Sequence, residues 1–151
     1  MTLTYSLSST RDLFAKLQRD AAALDEEVTS DRMFNFVVTG YSMIDWVKND
    51  PSVPATAKAA SVVQGLYKDK WLKVCGDLAT ASKHFTFTSR VPITSSAATV
   101  QGFGLGRYGK GGYGVGEESI EVQLNDGTSF HCLDLVQGVV GSWQSFLAHG
   151  I

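Results

Sequence analysis

Apolar positions follow a helical period over about residues 9–84, an alternating period over about 85–132, and a helical period again over about 133–149. In the first block Leu13, Leu17, Leu24 and Val28 recur at helical spacing behind Ser9 or Thr10, either of which suits an N-cap. Asp12 sits in the first turn, near the positive end of the helix dipole, and Lys16, Gln18, Arg19 and Asp20 fill the outer face. Thr29 or Ser30 caps a second helix whose run Met33 to Val47 is apolar almost all round. Such a helix belongs in the middle of a bundle, although Val37, Val38 and Thr39 also suit a strand. Asn49, Asp50 and Pro51 end it, because the residue before proline avoids the α region. Pro54 fits the first turn of a third helix bearing Ala57, Ala60, Val62, Val63, Leu66 and Tyr67. Asp69 caps a fourth over Lys70 to His84, with Trp71, Val74, Cys75, Leu78 and Ser82 on its core side.

The period then changes. Phe85, Phe87, Ser89 and Val91 read as a strand, which Pro92 ends or confines to an edge. Ala98 to Phe103 predicts a second short strand, and Ile120, Val122 and Leu124 a third. Asn125-Asp126-Gly127 is a hairpin turn leading to a fourth strand over Thr128 to Cys132. Leu135, Val136, Val139, Val140, Trp143 and Leu147 give a closing helix, on which Gly138 and Gly141 predict close approach to a neighbour, with Gly150 as its stop. The fold class is α+β, mostly α: about five helices with a small antiparallel sheet inserted before the last, in a single domain.

Composition narrows the function classes only slightly. An apolar fraction of 44% and a charged fraction of 19% are globular values. The net charge of -2 argues against strong non-specific nucleic-acid binding, which needs a cationic surface, but leaves room for a local basic patch. Cys75 and Cys132 stand apart and read as buried thiols, not as a disulfide framework. The N-terminal residues lack the pattern of a signal peptide and no apolar run is long enough to span a membrane, so the expected location is the cytoplasm.

Three features can carry chemistry. On the fourth helix Asp77 and His84 fall on one face, together with Lys70, Lys73 and Thr80. This is either a solvated polar face or a functional stripe in which histidine and carboxylate do acid–base work. On the second helix Asp45 lines up with Phe34, Val38 and Tyr41, and a carboxylate on an apolar face needs a partner, for which Lys83, His84 or a backbone amide is a candidate. The third is the glycine-rich stretch from Gly102 to Gly116. It lacks the strand–loop–helix setting of a phosphate-binding motif. It is either a flexible hairpin loop or a contact element in which Phe103, Tyr108 and Tyr113, beside Arg107 and Lys110, stack on bases or meet a protein partner. Cys75, His84, His131 and Cys132 match no zinc spacing, and no metal or cofactor is expected.

The pattern Asp45-Trp46 followed by Cys75-x-Asp77-Leu78-Ala79-x-x-Ser82-Lys83-His84-Phe85 resembles a group of uncharacterised small bacterial and phage proteins, over roughly residues 30 to 90. In layout the helical part is also similar to HEPN domains, small helical bundles of toxin–antitoxin and phage-defence systems that are often dimeric and in some members cut RNA. The ribonuclease members place an arginine a few residues before a histidine. Here Asp77, Leu78 and Ala79 occupy those positions before His84, and no arginine lies between residues 33 and 89. The resemblance therefore implies a non-enzymatic interaction module that self-associates or meets a protein partner. The alternatives are a divergent, metal-independent ribonuclease using His84 with Lys73 or Lys83, and a phage structural or accessory protein.

Overall fold

The computed structural model describes residues 2–101 and 118–150. The chain runs α1 (Thr10–Glu26), α2 (Ser30–Asn49), a 3₁₀ turn (Ala55–Lys58), α3 (Ala60–Lys68), α4 (Lys70–His84), β1 (Thr94–Gln101), β2 (Glu118–Leu124), β3 (Ser129–His131) and α5 (Cys132–Gly150). The mostly helical α+β architecture is the expected one, with five helices and a three-stranded antiparallel sheet before the last. No helix among the described residues is long and apolar enough to cross a membrane.

The helix starts follow the side chains that cap them. Ser9 Oγ accepts the Asp12 amide at 3.1 Å, Thr29 Oγ1 accepts the Arg32 amide at 3.1 Å, and Asp69 Oδ1 accepts the Leu72 amide at 3.1 Å. Each satisfies one of the four amides that a helix N-terminus leaves without a partner. Asp50 ends α2 and ties it to α1. Its carboxylate accepts Thr10 N at 2.7 Å and Thr10 Oγ1 at 2.9 Å on one oxygen, and Ser52 N at 2.8 Å and Ser52 Oγ at 2.7 Å on the other. Burial alone would raise its pKa, but these donors favour the charged form and bring it down to about 2.

α2 is the central helix, burying Met33, Phe36, Val37, Met43, Ile44 and Val47. Its Gly40 lies where α2 meets α4 and α5: a Cβ there would come within 3.0 Å of Cys75 Sγ and 3.1 Å of Val139 Cγ1. The freed surface also lets Trp143, fully buried on α5, donate its indole N–H to the Gly40 carbonyl at 3.0 Å. Both cysteines are free and buried, as expected. Burial pushes the Cys132 thiol up to about 11 and the Cys75 thiol further, so neither is a ready nucleophile.

The sheet has the order β1-β2-β3. Ile120, Val122 and Leu124 of β2 are buried, and the Asn125–Gly127 turn closes the β2–β3 hairpin with Gly127 at φ 90. Four expectations need correction. Residues 85–91 are not a strand: the chain there is irregular and β1 begins only at Thr94. The third helix is broken into a 3₁₀ turn and α3, because Pro54 starts the turn and not the α-helix. The fourth strand stops at His131 and α5 begins at once. Gly138 does meet a neighbour, the Trp71 ring, whereas a Cβ on Gly141 would meet nothing.

Candidate functional site

Where α4 ends, the chain reverses through Phe85. The Phe85 amide donates to the Ala81 carbonyl at 2.8 Å, and the Thr86 amide reaches back to the His84 carbonyl at 2.7 Å. That two-residue bond closes a γ-turn with Phe85 at φ 67 and ψ -40. The positive-φ form of this turn is rare and strained, and for a bulky residue it is an outlier that glycine would relieve. The Phe85 ring gains nothing visible in return, being 90% exposed. Phe85→Gly is accordingly expected to stabilise the protein by about 1 kcal/mol, the relief of strain exceeding the extra freedom of glycine in the unfolded chain. A urea titration checks this; a loss of stability would mean that the ring packs.

Residues 86–93 then return along α4 and are fixed by one arginine. Arg90 Nε donates to Asp77 Oδ1 at 2.7 Å, one terminal nitrogen to Tyr41 Oη at 2.8 Å, and the other to the Lys73 carbonyl at 3.0 Å. Asp77 Oδ2 accepts Ile93 N at 2.9 Å, Thr94 N at 3.0 Å and Thr94 Oγ1 at 2.8 Å. A carboxylate that is only 2% exposed thus holds both the arginine and the first residue of β1. The approach is close enough to require Gly76: a Cβ there would lie 2.5 Å from Tyr41 Cε1 and 2.6 Å from Arg90. These bonds explain why 85–91 is no strand. Its one long polar side chain is anchored to a helix, and its apolar side chains, Phe85, Phe87 and Val91, are exposed to water, Phe87 least.

The anchored segment roofs a cleft of about 510 Å³. Val38, Tyr41, Ser42 and Asp45 of α2 form one wall, Ala79, Thr80, Lys83 and His84 of α4 the other, and Thr86, Thr88, Ser89 and Arg90 the roof. Beyond Tyr41 and Arg90, which line both spaces, lies a smaller recess of about 240 Å³ with Tyr67, Leu72, Lys73, Asp77, Val91 and Ile93. Asp45, Lys83 and His84 therefore border one cleft, as three polar groups among hydroxyls.

Other sequence expectations fail here. Asp77 is not on a polar stripe with His84; it is buried beneath Arg90 while His84 is exposed. The core side of α4 is displaced from the expected one: Leu72, Val74, Cys75, Gly76, Asp77 and Ala79 are buried, whereas Trp71, Leu78 and Ser82 are only partly so. Asp45 is no buried anchor. Its side chain is 73% exposed and its ion-pair partner is Lys48, at 3.6 Å, not Lys83 or His84. Lys73 belongs to the recess and not to the cleft of His84. Phe103, Arg107, Tyr108, Lys110 and Tyr113 lie outside the described residues. Among the described residues no group of three or more His, Cys, Asp or Glu side chains is placed to hold a metal ion.

Arg90, Tyr41 and Phe85 are not among the site residues expected from the sequence, although Tyr41 is placed beside Asp45 and Phe85 in a strand. Nothing in the spacing signals the pairing, because the period of α4 puts Asp77 on a polar face and its burial follows only from the returning segment. No family model, no curated protein and no solved structure matches the chain.

Proposed function

We propose that the protein is a non-enzymatic, HEPN-like interaction module of bacterial or phage origin that works by protein contact and self-association. The observation that carries this reading is Phe85. A bulky aromatic held at φ 67 and 90% exposed is strained without being buried, and strain retained at such a place marks a functional position. Val91 (89% exposed) and Phe87 (37%) are further exposed apolar side chains on the same anchored segment. Apolar side chains shown on a pre-organised backbone lose little further entropy on binding, which favours contact with a protein surface.

The competing reading is phosphate chemistry on RNA. In its favour, Asp45, Lys83 and His84 share the cleft. Against it, Arg90, the arginine that lines the cleft among the described residues, already donates from each of its three guanidinium nitrogens to a protein oxygen. Lys83 would have to clamp phosphate alone, as a point charge without the bidentate fork.

One experiment separates the two. A photo-crosslinking residue at position 85, with exposed Gln64 as control position, is introduced in the native host, and the purified wild type is assayed for RNA cleavage beside His84→Ala. The expected result is a discrete protein adduct from position 85, lost on Phe87→Ser, and no cleavage. RNA cleavage that a folded His84→Ala variant loses would replace this reading by the enzymatic one. Absence of any protein adduct at position 85 would remove its main support.

A further inference from the structure

The outer edge of β1 is unlike the rest of the surface. The sheet order leaves β1 paired to β2 on one side and to no strand on the other among the described residues. β1 is eight residues long, Thr-Ser-Ser-Ala-Ala-Thr-Val-Gln, without a charge or a proline. Exposed edges are ordinarily blunted by lysine, proline, a covering element or shortness. The opposite edge follows that rule, since β3 is three residues long and runs directly into α5. β1 has only an irregularity between Thr94 and Ser96.

Both faces of β1 are open as well. Ala97 pairs with Val122 and Thr99 with Ile120, so they share the helix-facing side of the sheet. Val122 and Ile120 are buried, yet Ala97 and Thr99 are exposed, as are Ser95, Ser96 and Ala98. α4 holds only the start of β1, through Asp77 and Thr94, and residues 95–99 beyond it project as an exposed shelf.

We propose that β1 is a self-pairing edge, joining a second copy of this chain across a two-fold axis to make one six-stranded antiparallel sheet. Opposed residues of an antiparallel pair share a face, so a two-fold pairing must place one residue opposite its own copy. Centring on Ala98 sets Ala97 against Thr99 of the second copy and Ser96 against Val100. Side chains this small and uncharged neither clash nor repel, although each chain carries a net charge of -2. The occupant is a second copy and not an unrelated peptide for a physical reason. β-augmentation by a foreign strand takes its specificity from side-chain pockets. The exposed residues 95–99 offer only Ser, Ala and Thr, whereas two-fold symmetry needs no pockets and limits the register to those that set one residue opposite its own copy.

This deepens the interaction-module reading, on which the expectation of self-association rests, and places it away from the aromatic segment. The test is sedimentation of the full chain over a wide range of concentration: wild type, Ala98→Lys, Ala98→Glu, and the two variants mixed. Ala98 is exposed and its β2 neighbour is Glu121, so a lysine there suits the folded monomer, whereas a glutamate opposes a like charge and Ala98→Glu is compared only once circular dichroism shows it folded. Wild type is expected to dimerise, each variant to lose about tenfold or more in self-association from like charges meeting on the axis, and the mixture to regain it. A wild type that stays monomeric overturns the proposal together with the self-association part of the earlier reading. A wild-type dimer that Ala98→Lys leaves intact overturns the β1 assignment alone. Amide exchange on wild type decides the matter without variants. The outward amides of residues 94–101 are expected to slow as concentration rises, and exchange independent of concentration counts against the pairing.

Discussion

Asp77→Ala is expected to lower stability by about 3–5 kcal/mol, in the range seen when one member of a buried ion pair is removed. The size follows from what the carboxylate holds. It is 2% exposed and accepts Arg90 Nε, two backbone amides and the Thr94 hydroxyl. Its removal leaves a three-quarters buried guanidinium side chain without its counter-charge and two amides without their acceptor. Asp77→Asn keeps the volume and loses the charge, so it should lie close to the alanine variant and not close to wild type. Urea titration supplies the free energy. Amide exchange supplies the location: residues 90–94 should open first, with β1 behind them, while α1 and α2 stay protected. In the double variant with Arg90→Ala the losses should be well below additive, because each single change leaves the other partner buried. A cost under about 1 kcal/mol would show that the return segment is held by something other than this anchor.

The anchor also explains why the fold was more legible than the site. Caps announce helix starts locally, and Ser9, Thr29 and Asp69 each bond an amide three residues on. The length of the apolar run from Met33 to Val47, behind the Thr29 cap, finds α2, and Asn125–Gly127 identifies the β2–β3 turn by its chemistry. The link between Arg90 and Asp77 spans thirteen residues and a chain reversal. Periodicity reports which residues share a face, not what will cover that face. On α4 the polar stripe was real as spacing, but the returning segment buried its middle and left its ends, Lys70 and His84, in water. The alternation of Phe85, Phe87, Ser89 and Val91 misled for the same reason. Alternation predicts a strand only where one face finds a core, and here Phe85 and Val91 find none. Asp45 erred in the opposite sense. It was assigned to an apolar face, yet the helix turns it outward beside Lys48.

Gly138 and Gly141 make the second large prediction, because identical substitutions one turn apart on α5 should have opposite signs. A Cβ on Gly138 would fall inside the Trp71 indole. That ring cannot simply move aside: its other contact is an edge-to-face packing on Phe130 of β3, with centroids 5.3 Å apart and planes at 76°. Gly138→Ala must therefore separate α5 from α4 or displace Trp71 from Phe130. We expect a loss of about 2–3 kcal/mol, after allowing for the helix propensity that alanine gains over glycine. Gly141 is exposed and a Cβ there meets nothing. Gly141→Ala should keep that propensity gain undiminished, about 0.5–1 kcal/mol of added stability. Unfolding midpoints of the two variants, measured side by side, check both the magnitude and the sign. Equal midpoints would mean that Trp71 is not seated on α5, and the packing that joins the sheet to the helices through Trp71 and Phe130 would have to be redrawn. A split in the expected direction ties the sheet to the bundle through Trp71, at a place where only hydrogen fits between the α5 backbone and an aromatic face.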